Sequence, residues 1–205
     1  IDNSPRISDE SAYKETLKHL KKTSMESQFI QLSTMQNHMP YTNWYIDNEF
    51  VGADTSTGLS ADEYQNLETY TKGLNLTDQA TASFLDELNQ IDKPITVIFY
   101  GDHLPSIYST ADQDTENHVA LHETDYFIWS NSASASSGTK LDASNTAFTS
   151  PNYFMSLAAN HMNAKVSPYL ALLTQLLEQI PAASRIATET GGISSGDTTY
   201  LDMSG

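Results

Sequence analysis

The residues with the clearest capacity for chemistry follow directly after an apolar run. Asp102 and His103 come behind Gly101, which ends the apolar run at residues 95–100. Neighbouring side chains on a straight strand point to opposite faces, but a glycine permits a sharp turn that aims both at one ion. A carboxylate oxygen and an imidazole nitrogen suit Mn²⁺, Zn²⁺ or Mg²⁺ when further ligands are present. The alternative is that Asp102 caps a turn and His103 is an ordinary loop residue.

A second reactive side chain follows another short apolar segment. The pattern at residues 28–32 predicts a strand, and the loop behind it contains Asn37 and His38. Ligands of open α/β sheets bind outside the carboxyl ends of the strands. If the two strands are parallel neighbours, the sequence predicts that His38 and the Asp102-His103 pair meet at one edge of the sheet.

The elements around these residues alternate in a way that predicts an α/β fold. Helical patterns cover residues 8–25, 60–88, 151–162 and 167–180, and strand patterns cover residues 28–32, 95–100 and 124–130. Ser60 and Glu63 form a capping box at the start of the second helix, while Gly73 and Asn75 are expected to break it. This order predicts a mostly parallel sheet flanked by helices.

The composition indicates one globular domain with an acidic surface. The 205 residues contain 10 Lys and Arg against 26 Asp and Glu, a formal charge of −16. Such a surface repels nucleic-acid phosphates, so a nucleic-acid partner is excluded and an anionic substrate needs a local cation. The absence of cysteine excludes disulfides, thiolate metal sites and cysteine nucleophiles. We expect residues 1–182 to form the domain and residues 183–205 to be a polar, mobile tail.

Three segments together resemble a known family. They are Gln31 to Tyr41, Ile98 to His103 and Asp125 to Asn131. They are similar to the lipoteichoic-acid-synthase-type phosphoglycerol transferases of the alkaline phosphatase and sulfatase superfamily, and the resemblance spans about residues 10–180. It implies that Asp102 and His103 bind a catalytic divalent cation, most commonly manganese. It also implies that His38 contacts the glycerol-phosphate group.

The same resemblance implies that other parts of the family's site lie elsewhere. The family's threonine nucleophile and a glutamate metal ligand precede the strand that carries His38, and neither has a counterpart here. Transmembrane helices also precede the family's extracellular domain. The chain is therefore expected to be the C-terminal part of an incomplete catalytic domain, inactive alone. Its upstream polypeptide would complete the site and anchor the parent at the outer face of a Gram-positive cell membrane.

The implied reaction moves glycerol phosphate from phosphatidylglycerol to a growing lipoteichoic acid chain. A first alternative keeps the fold but hydrolyses a sulfate or phosphate ester. A second alternative is a binding domain of the same fold that has lost catalysis. The identity of the upstream nucleophile separates the two enzymes, since threonine favours transfer whereas cysteine or serine in a sulfatase motif favours hydrolysis.

Other polar clusters have two interpretations each. His118, His122 and Glu123 suggest a second metal site, but a solvated acidic loop is the favoured interpretation. The serine-rich stretch at residues 132–139 is expected to be mobile.

Aromatic residues follow His38 closely, at Tyr41, Trp44 and Tyr45. They would either wall a pocket for a glycerol or sugar unit or seal the core beneath the loop. Near the start of the chain, Ser4-Pro5-Arg6 invites comparison with a sulfatase nucleophile motif, but its spacing is wrong.

Overall fold

The structure, a computed structural model, describes residues 3–22, 26–53, 58–117, 119–142, 146–183 and 188–189. These residues fall into two units. The first comprises the described residues of Ile1–Ile91 and Pro105–Asp114, and the second those of Asp92–Leu104 and Thr115–Gly205. Each unit is described by itself below. Within the described residues, no helix combines the length and apolar character that crossing a bilayer requires.

Two packed helices form the frame of the first unit. Helix α1 (Asp9–Leu20) begins at Ser8, whose hydroxyl accepts a hydrogen bond from the Ser11 amide. Helix α2 (Ala61–Asn89) begins at the capping box that the sequence predicts. The two helices contact each other through Tyr13 of α1 and Phe84 of α2, whose rings stack with centroids 4.6 Å apart.

Helix α2 runs without a break for 29 residues, so the predicted interruption at Gly73 and Asn75 is wrong. Gly73 instead provides room for a neighbour. A Cβ atom built at Gly73 would lie 2.2 Å from Asn37 Oδ1, far inside contact distance. Because glycine has no side chain, the loop that contains Asn37 can approach the helix closely at Gly73. The glycine thus makes room for a neighbouring segment and does not interrupt the helix.

The described residues between α1 and α2, which include residues 28–32, form no helix or strand, so the strand predicted there is wrong. Its side chains are exposed, with Phe29 80% accessible, and no described strand lies beside it to pair with its backbone. Further along, Tyr41, Trp44 and Tyr45 are buried with Ile107 in one apolar cluster. These aromatic side chains seal the core beneath the loop, as the second of the two interpretations holds.

A single carboxylate attaches the segment Pro105–Asp114 to the start of α2. Glu63 Oε1 accepts hydrogen bonds from the backbone amide of Ser109 at 2.8 Å and from its hydroxyl at 2.9 Å. Glu63 Oε2 accepts from the Ser60 amide at 2.7 Å. These donors favour the charged form and lower the pKa of Glu63 to about 2.

The second unit is built on an antiparallel pair of strands, β1 (Thr96–Tyr100) and β2 (Tyr126–Ser130). Thr96 pairs with Ser130, and Phe99 stacks on Phe127 with ring centroids 4.9 Å apart. The mixture of helices and strands agrees with the predicted α/β class. Both strand pairings among the described residues are antiparallel, however, including β3 (Ala182–Ala183) with β4 (Thr188–Glu189). The parallel order expected from the sequence does not occur in this part of the chain.

The serine-rich stretch after β2 is a series of hydrogen-bonded turns, not the mobile segment expected. Asn131 is fully buried, and its side chain accepts from the Ile95 amide at 3.0 Å and donates to the Lys93 carbonyl at 2.8 Å. Ser134 donates to Asn131 Oδ1 at 2.8 Å. Ser136 donates to Ser130 at the same distance. The small polar side chains thus fill the space beside the start of β1.

Two helices pack against each other beside the strands. A short 3₁₀ turn (Pro151–Tyr153) leads into α3 (Phe154–His161), and α4 (Pro168–Leu177) begins at Ser167, as its cap and proline predict. The described apolar cluster of this unit joins residues of these helices to β2 and the turns: Tyr126, Ile128, Leu141, Tyr153, Phe154, Leu157, Leu173 and Leu177.

The close approach at Gly73 predicts that Gly73→Ala lowers the free energy of unfolding by about 1–3 kcal/mol, the usual cost of overpacking. Alanine's intrinsic helix preference, about 1 kcal/mol, acts in the opposite direction and is too small to compensate. Urea unfolding measures the effect. Asp86→Ala, at an exposed position of the same helix, should change stability by less than about 0.5 kcal/mol. A Gly73→Ala variant as stable as the parent would contradict the close contact.

The hydrogen bonds of Glu63 predict a pH-dependent effect of Glu63→Gln. Because the pKa of Glu63 is lower in the folded than in the unfolded chain, its stabilisation is complete above about pH 4.5 and is lost as the pH falls towards about 2. The stability difference between parent and variant should therefore shrink across that window, as measured by urea unfolding at several pH values. Asp78→Asn, at an exposed position of α2, serves as control. A difference that stays constant from pH 5 to pH 2 would refute this assignment.

Candidate functional site

Asp102 and His103 lie on an exposed turn that follows β1. The His103 amide donates to Asp102 Oδ1 at 2.9 Å, which is the turn-capping arrangement that was one of the two interpretations. Gly101 allows Thr124 to come close, because a Cβ atom at Gly101 would lie 3.0 Å from Thr124 Cβ. The Gly101 amide and carbonyl bond to residues before β2. The turn is thus fixed to the strand pair.

The remaining atoms of the pair fit two positions of a divalent-cation site. His103 Nδ1 lies 2.9 Å from the Leu104 carbonyl, which can only accept, so Nδ1 carries the proton in the neutral ring. Nε2 is then the basic nitrogen and lies 3.6 Å from Asp102 Oδ2. Two ligands about 2.1 Å from a tetrahedral ion lie about 3.4 Å apart, close to this separation. A ring nitrogen that donates to a carbonyl is also the usual support of a histidine ligand.

Two ligands are fewer than a divalent ion needs. No group of three or more histidine, aspartate or glutamate side chains suited to a metal occurs in the described part of the chain. His122 and Glu123 are exposed, and His118 lies outside the described residues. The second metal site considered from the sequence is therefore not tested, because it includes His118.

His38 lies in a turn of the first unit and has the same local arrangement as His103. Its Nδ1 lies 2.8 Å from the Met39 carbonyl, and its amide donates to the Met35 carbonyl at 3.2 Å. The guanidinium of Arg6 donates to the same Met39 carbonyl at 2.6 Å. Nδ1 therefore carries the proton, and Nε2 is the basic nitrogen of the neutral ring.

The contact of each histidine Nδ1 with the carbonyl of the next residue follows from a sequence pattern that the resemblance to the family does not use. Each histidine is followed by an apolar residue and then a proline, in His38-Met39-Pro40 and His103-Leu104-Pro105. A proline keeps the residue before it out of the helical region. The carbonyl of that residue is then held where the ring of the histidine can reach it, which orients the ring.

Arg6 is the residue near His38 that sequence reasoning missed. It belongs to Ser4-Pro5-Arg6, which was set aside because its spacing does not fit a sulfatase nucleophile. Its contact with the Met39 carbonyl places a positive charge beside the His38 turn. In a chain with a formal charge of −16, this is the kind of local cation that an anionic substrate requires.

The two predicted parts of the site belong to different units. His38 belongs to the first unit, and Asp102 and His103 to the second. Each histidine is oriented within its own unit. Their convergence at one edge remains a prediction.

His161 is a buried histidine with a structural role. Its Nε2 lies 2.9 Å from the Ser130 hydroxyl, which also contacts Thr96 across the strand pair at 2.8 Å. Burial lowers the pKa of His161 and so favours the neutral ring. The contact connects α3 to β2.

Comparisons of sequence and of structure with known proteins both point to the sulfatase family. Residues 2–164 match the family model described as Sulfatase. Among solved structures, the chain is similar to Streptococcus pyogenes phosphoglycerol transferase GacH in complex with sn-glycerol-1-phosphate. The TM-score is 0.69 and the sequences are 35% identical, over 85% of this chain and 42% of the GacH chain.

Two curated relatives come from Rhizobium meliloti (strain 1021). The capsular polysaccharide biosynthesis protein RkpI is 32% identical over 103 residues, which is 50% of this chain and 16% of RkpI. A protein provisionally named for cyclic beta-1,2-glucan modification is 29% identical over 138 residues, 60% of this chain and 21% of the relative. The chain thus spans about a fifth or less of the length of these relatives.

The carbonyl contacts predict that His38 and His103 are both protonated on Nδ1 when neutral. Long-range ¹H–¹⁵N spectra of the chain at about pH 8 distinguish the two tautomers. His19 is an internal reference, because its ring is exposed and the apolar residue after it is not followed by proline. A ring of His38 or His103 protonated mainly on Nε2 would contradict the arrangement described.

Proposed function

The chain belongs to the sulfatase family, and from this premise we propose that it is the C-terminal part of a metal-dependent phosphoglycerol transferase. The family match bears out the superfamily and fold class that the sequence motifs imply. The observation that carries the proposal is the similarity to GacH, a phosphoglycerol transferase whose structure contains sn-glycerol-1-phosphate. It supports a glycerol-phosphate ligand for this chain.

Asp102 and His103 are the proposed cation ligands of this chain. Asp102 Oδ2 and His103 Nε2 are the atoms that would hold the ion, with Mn²⁺ the first choice and Mg²⁺ or Zn²⁺ alternatives. When bound, the ion supplies positive charge that screens phosphoryl oxygens and acidifies a coordinated hydroxyl. The further ligands and the threonine nucleophile are proposed to come from upstream polypeptide.

His38 is the proposed contact for the glycerol-phosphate group. In the neutral ring its Nε2 is an acceptor, which suits removal of a proton from an attacking glycerol hydroxyl. Once protonated, the same nitrogen donates a hydrogen bond to a phosphoryl oxygen. Arg6, beside the Met39 carbonyl, makes the local electrostatic potential more positive, which favours binding of an anion in an otherwise acidic chain.

The proposed reaction is a double displacement with phosphatidylglycerol as donor. The bond between phosphorus and the diacylglycerol oxygen breaks as the threonine oxygen bonds to phosphorus, and diacylglycerol leaves with a proton. An acceptor hydroxyl then displaces the threonine oxygen and receives glycerol phosphate, and the proton that the acceptor loses replaces the one that the threonine hydroxyl gave up in the first step. The parent would work at the outer face of a Gram-positive cell membrane.

The acceptor has two candidates. The motif resemblance favours the terminal glycerol of a growing lipoteichoic acid. Two curated relatives are named for polysaccharides, which favours a sugar hydroxyl as the second candidate. Release of glycerol phosphate to water, with neither polymer labelled, would instead identify a hydrolase.

The proposal predicts the effects of two substitutions on transfer in the complete polypeptide that contains this chain. Asp102→Ala should lower Mn²⁺-dependent transfer at least about 1,000-fold, because several kcal/mol of charge stabilisation depend on the ion. His38→Ala should lower it about 100-fold or more through loss of proton transfer. Labelled phosphatidylglycerol, with lipoteichoic acid and polysaccharide acceptors in separate reactions, measures both.

The matched control is His19→Ala, an exposed histidine on α1 that should leave transfer unchanged. In NMR spectra, Mn²⁺ should also broaden the ring signals of His103 in the unsubstituted protein and should not broaden them in Asp102→Ala. Undiminished transfer in both site variants, or equal broadening with and without Asp102, would refute the assignment.

A further inference from the structure

One hydroxyl group connects the turn that contains His38 to both α1 and α2. Thr77 of α2 donates to Asp9 Oδ2 at 2.7 Å. Its oxygen accepts from Gln36 Nε2 at 3.1 Å and from Asn37 Nδ2 at 2.8 Å. A hydroxyl group has one hydrogen to donate and two lone pairs that accept, so Thr77 uses its full capacity here.

Asp9 holds the other end of this network at the start of α1. The residue is 1% exposed, and its carboxylate lies in the first turn, where the helix dipole favours negative charge. Its backbone amide donates to Gln36 Oε1 at 3.0 Å. That bond satisfies one of the amides that a helix start leaves unpaired, and it fixes which way the Gln36 amide group points.

The two residues before His38 therefore have little freedom. Gln36 Nε2 also donates to the Gly73 carbonyl at 3.0 Å. The Asn37 carbonyl accepts from the Tyr41 hydroxyl at 2.7 Å, and burial raises the pKa of that hydroxyl, so it remains a donor. Every side chain in this set is inside the first unit, and their contacts stop one residue short of His38.

We propose that Thr77 and Asp9 are positioning residues for His38, holding the turn so that its Nε2 is presented to substrate. Neither residue contacts the ring, and both are about 30 or more positions from His38 in sequence. The inference rests on the proposed function of His38 and extends it to residues that no motif identifies. A misplacement of about 1 Å at a reacting group costs about 100-fold in rate. A network that only positions His38 can therefore have a large effect on the rate of transfer.

The test is a double-mutant cycle on transfer by the complete polypeptide. Thr77→Val removes the hydroxyl at nearly constant shape and should lower kcat about 10- to 100-fold, with the KM for phosphatidylglycerol changed less than about 2-fold. Thr77→Ser keeps the hydroxyl and should restore most of the activity. In a His38→Ala background, Thr77→Val should cause no further loss, because it acts only through His38.

Stability and ring geometry are measured alongside activity in this chain. Thr77→Val alone leaves the buried Asp9 carboxylate without this donor and risks unfolding. The double variant Asp9→Leu/Thr77→Val removes the buried carboxylate together with its donor, and Gln36 keeps the Gly73 carbonyl as an acceptor, so the variant should fold yet show the same loss of kcat. Its His38 ring should populate both neutral tautomers, while the ring of His103 in the other unit should be unchanged.

The outcomes separate this inference from the proposed function. Equal loss from Thr77→Val with and without His38, or wild-type kcat in the folded double variant, would overturn the positioning role alone. Full activity of His38→Ala would overturn the role of His38 itself. Non-additive losses with rescue by Thr77→Ser would establish the inference.

Discussion

The hydroxyl group of Thr77 is the contact on which the arrangement of the first unit depends. It donates to a buried carboxylate on α1 and accepts from two amide side chains of the following loop. Since water is excluded from Asp9, each lost bond would leave a buried polar group to be desolvated without compensation. That cost favours the observed position of Gln36 and Asn37, although the described residues of the loop form no helix or strand. An irregular connection can hold a reactive side chain when its polar groups bond inward to rigid helices.

The two histidines of the candidate site share a local pattern that brings each ring to the carbonyl of the next residue. His38 and His103 each donate from Nδ1 to the carbonyl of the next residue, and a proline follows in both cases. Nε2 is then the basic nitrogen of each neutral ring, which suits the metal ligand proposed at His103 and the proton acceptor proposed at His38. The roles proposed for the two histidines differ because their neighbours differ: a carboxylate lies beside His103 and a guanidinium near His38.

Sequence reasoning succeeded where local signals decide and failed where distant partners do. The caps at Ser60 and Ser167 and the strand after Pro94 follow from short-range chemistry, and the structure contains them. The apolar segment at residues 28–32 resembles a strand, but pairing is decided by a partner that the local pattern does not reveal. The break predicted at Gly73 failed because its role is set by Asn37, 36 positions away. Arg6 was discarded as a motif and is instead recognisable only by its contact across the loop.

The serine-rich turns after β2 have a practical consequence for anyone dividing this protein. Compositional filters would label residues 132–139 a linker and suggest it as a place to cut, permute or insert an epitope. Asn131 and Ser134 are in fact bonded to Lys93 and Ile95, at the entry to β1. Cleavage there would weaken the hydrogen bonds that hold the residues leading into β1 beside the end of β2. The low-complexity segment of this chain is therefore part of the folded structure beside β1 and not a linker.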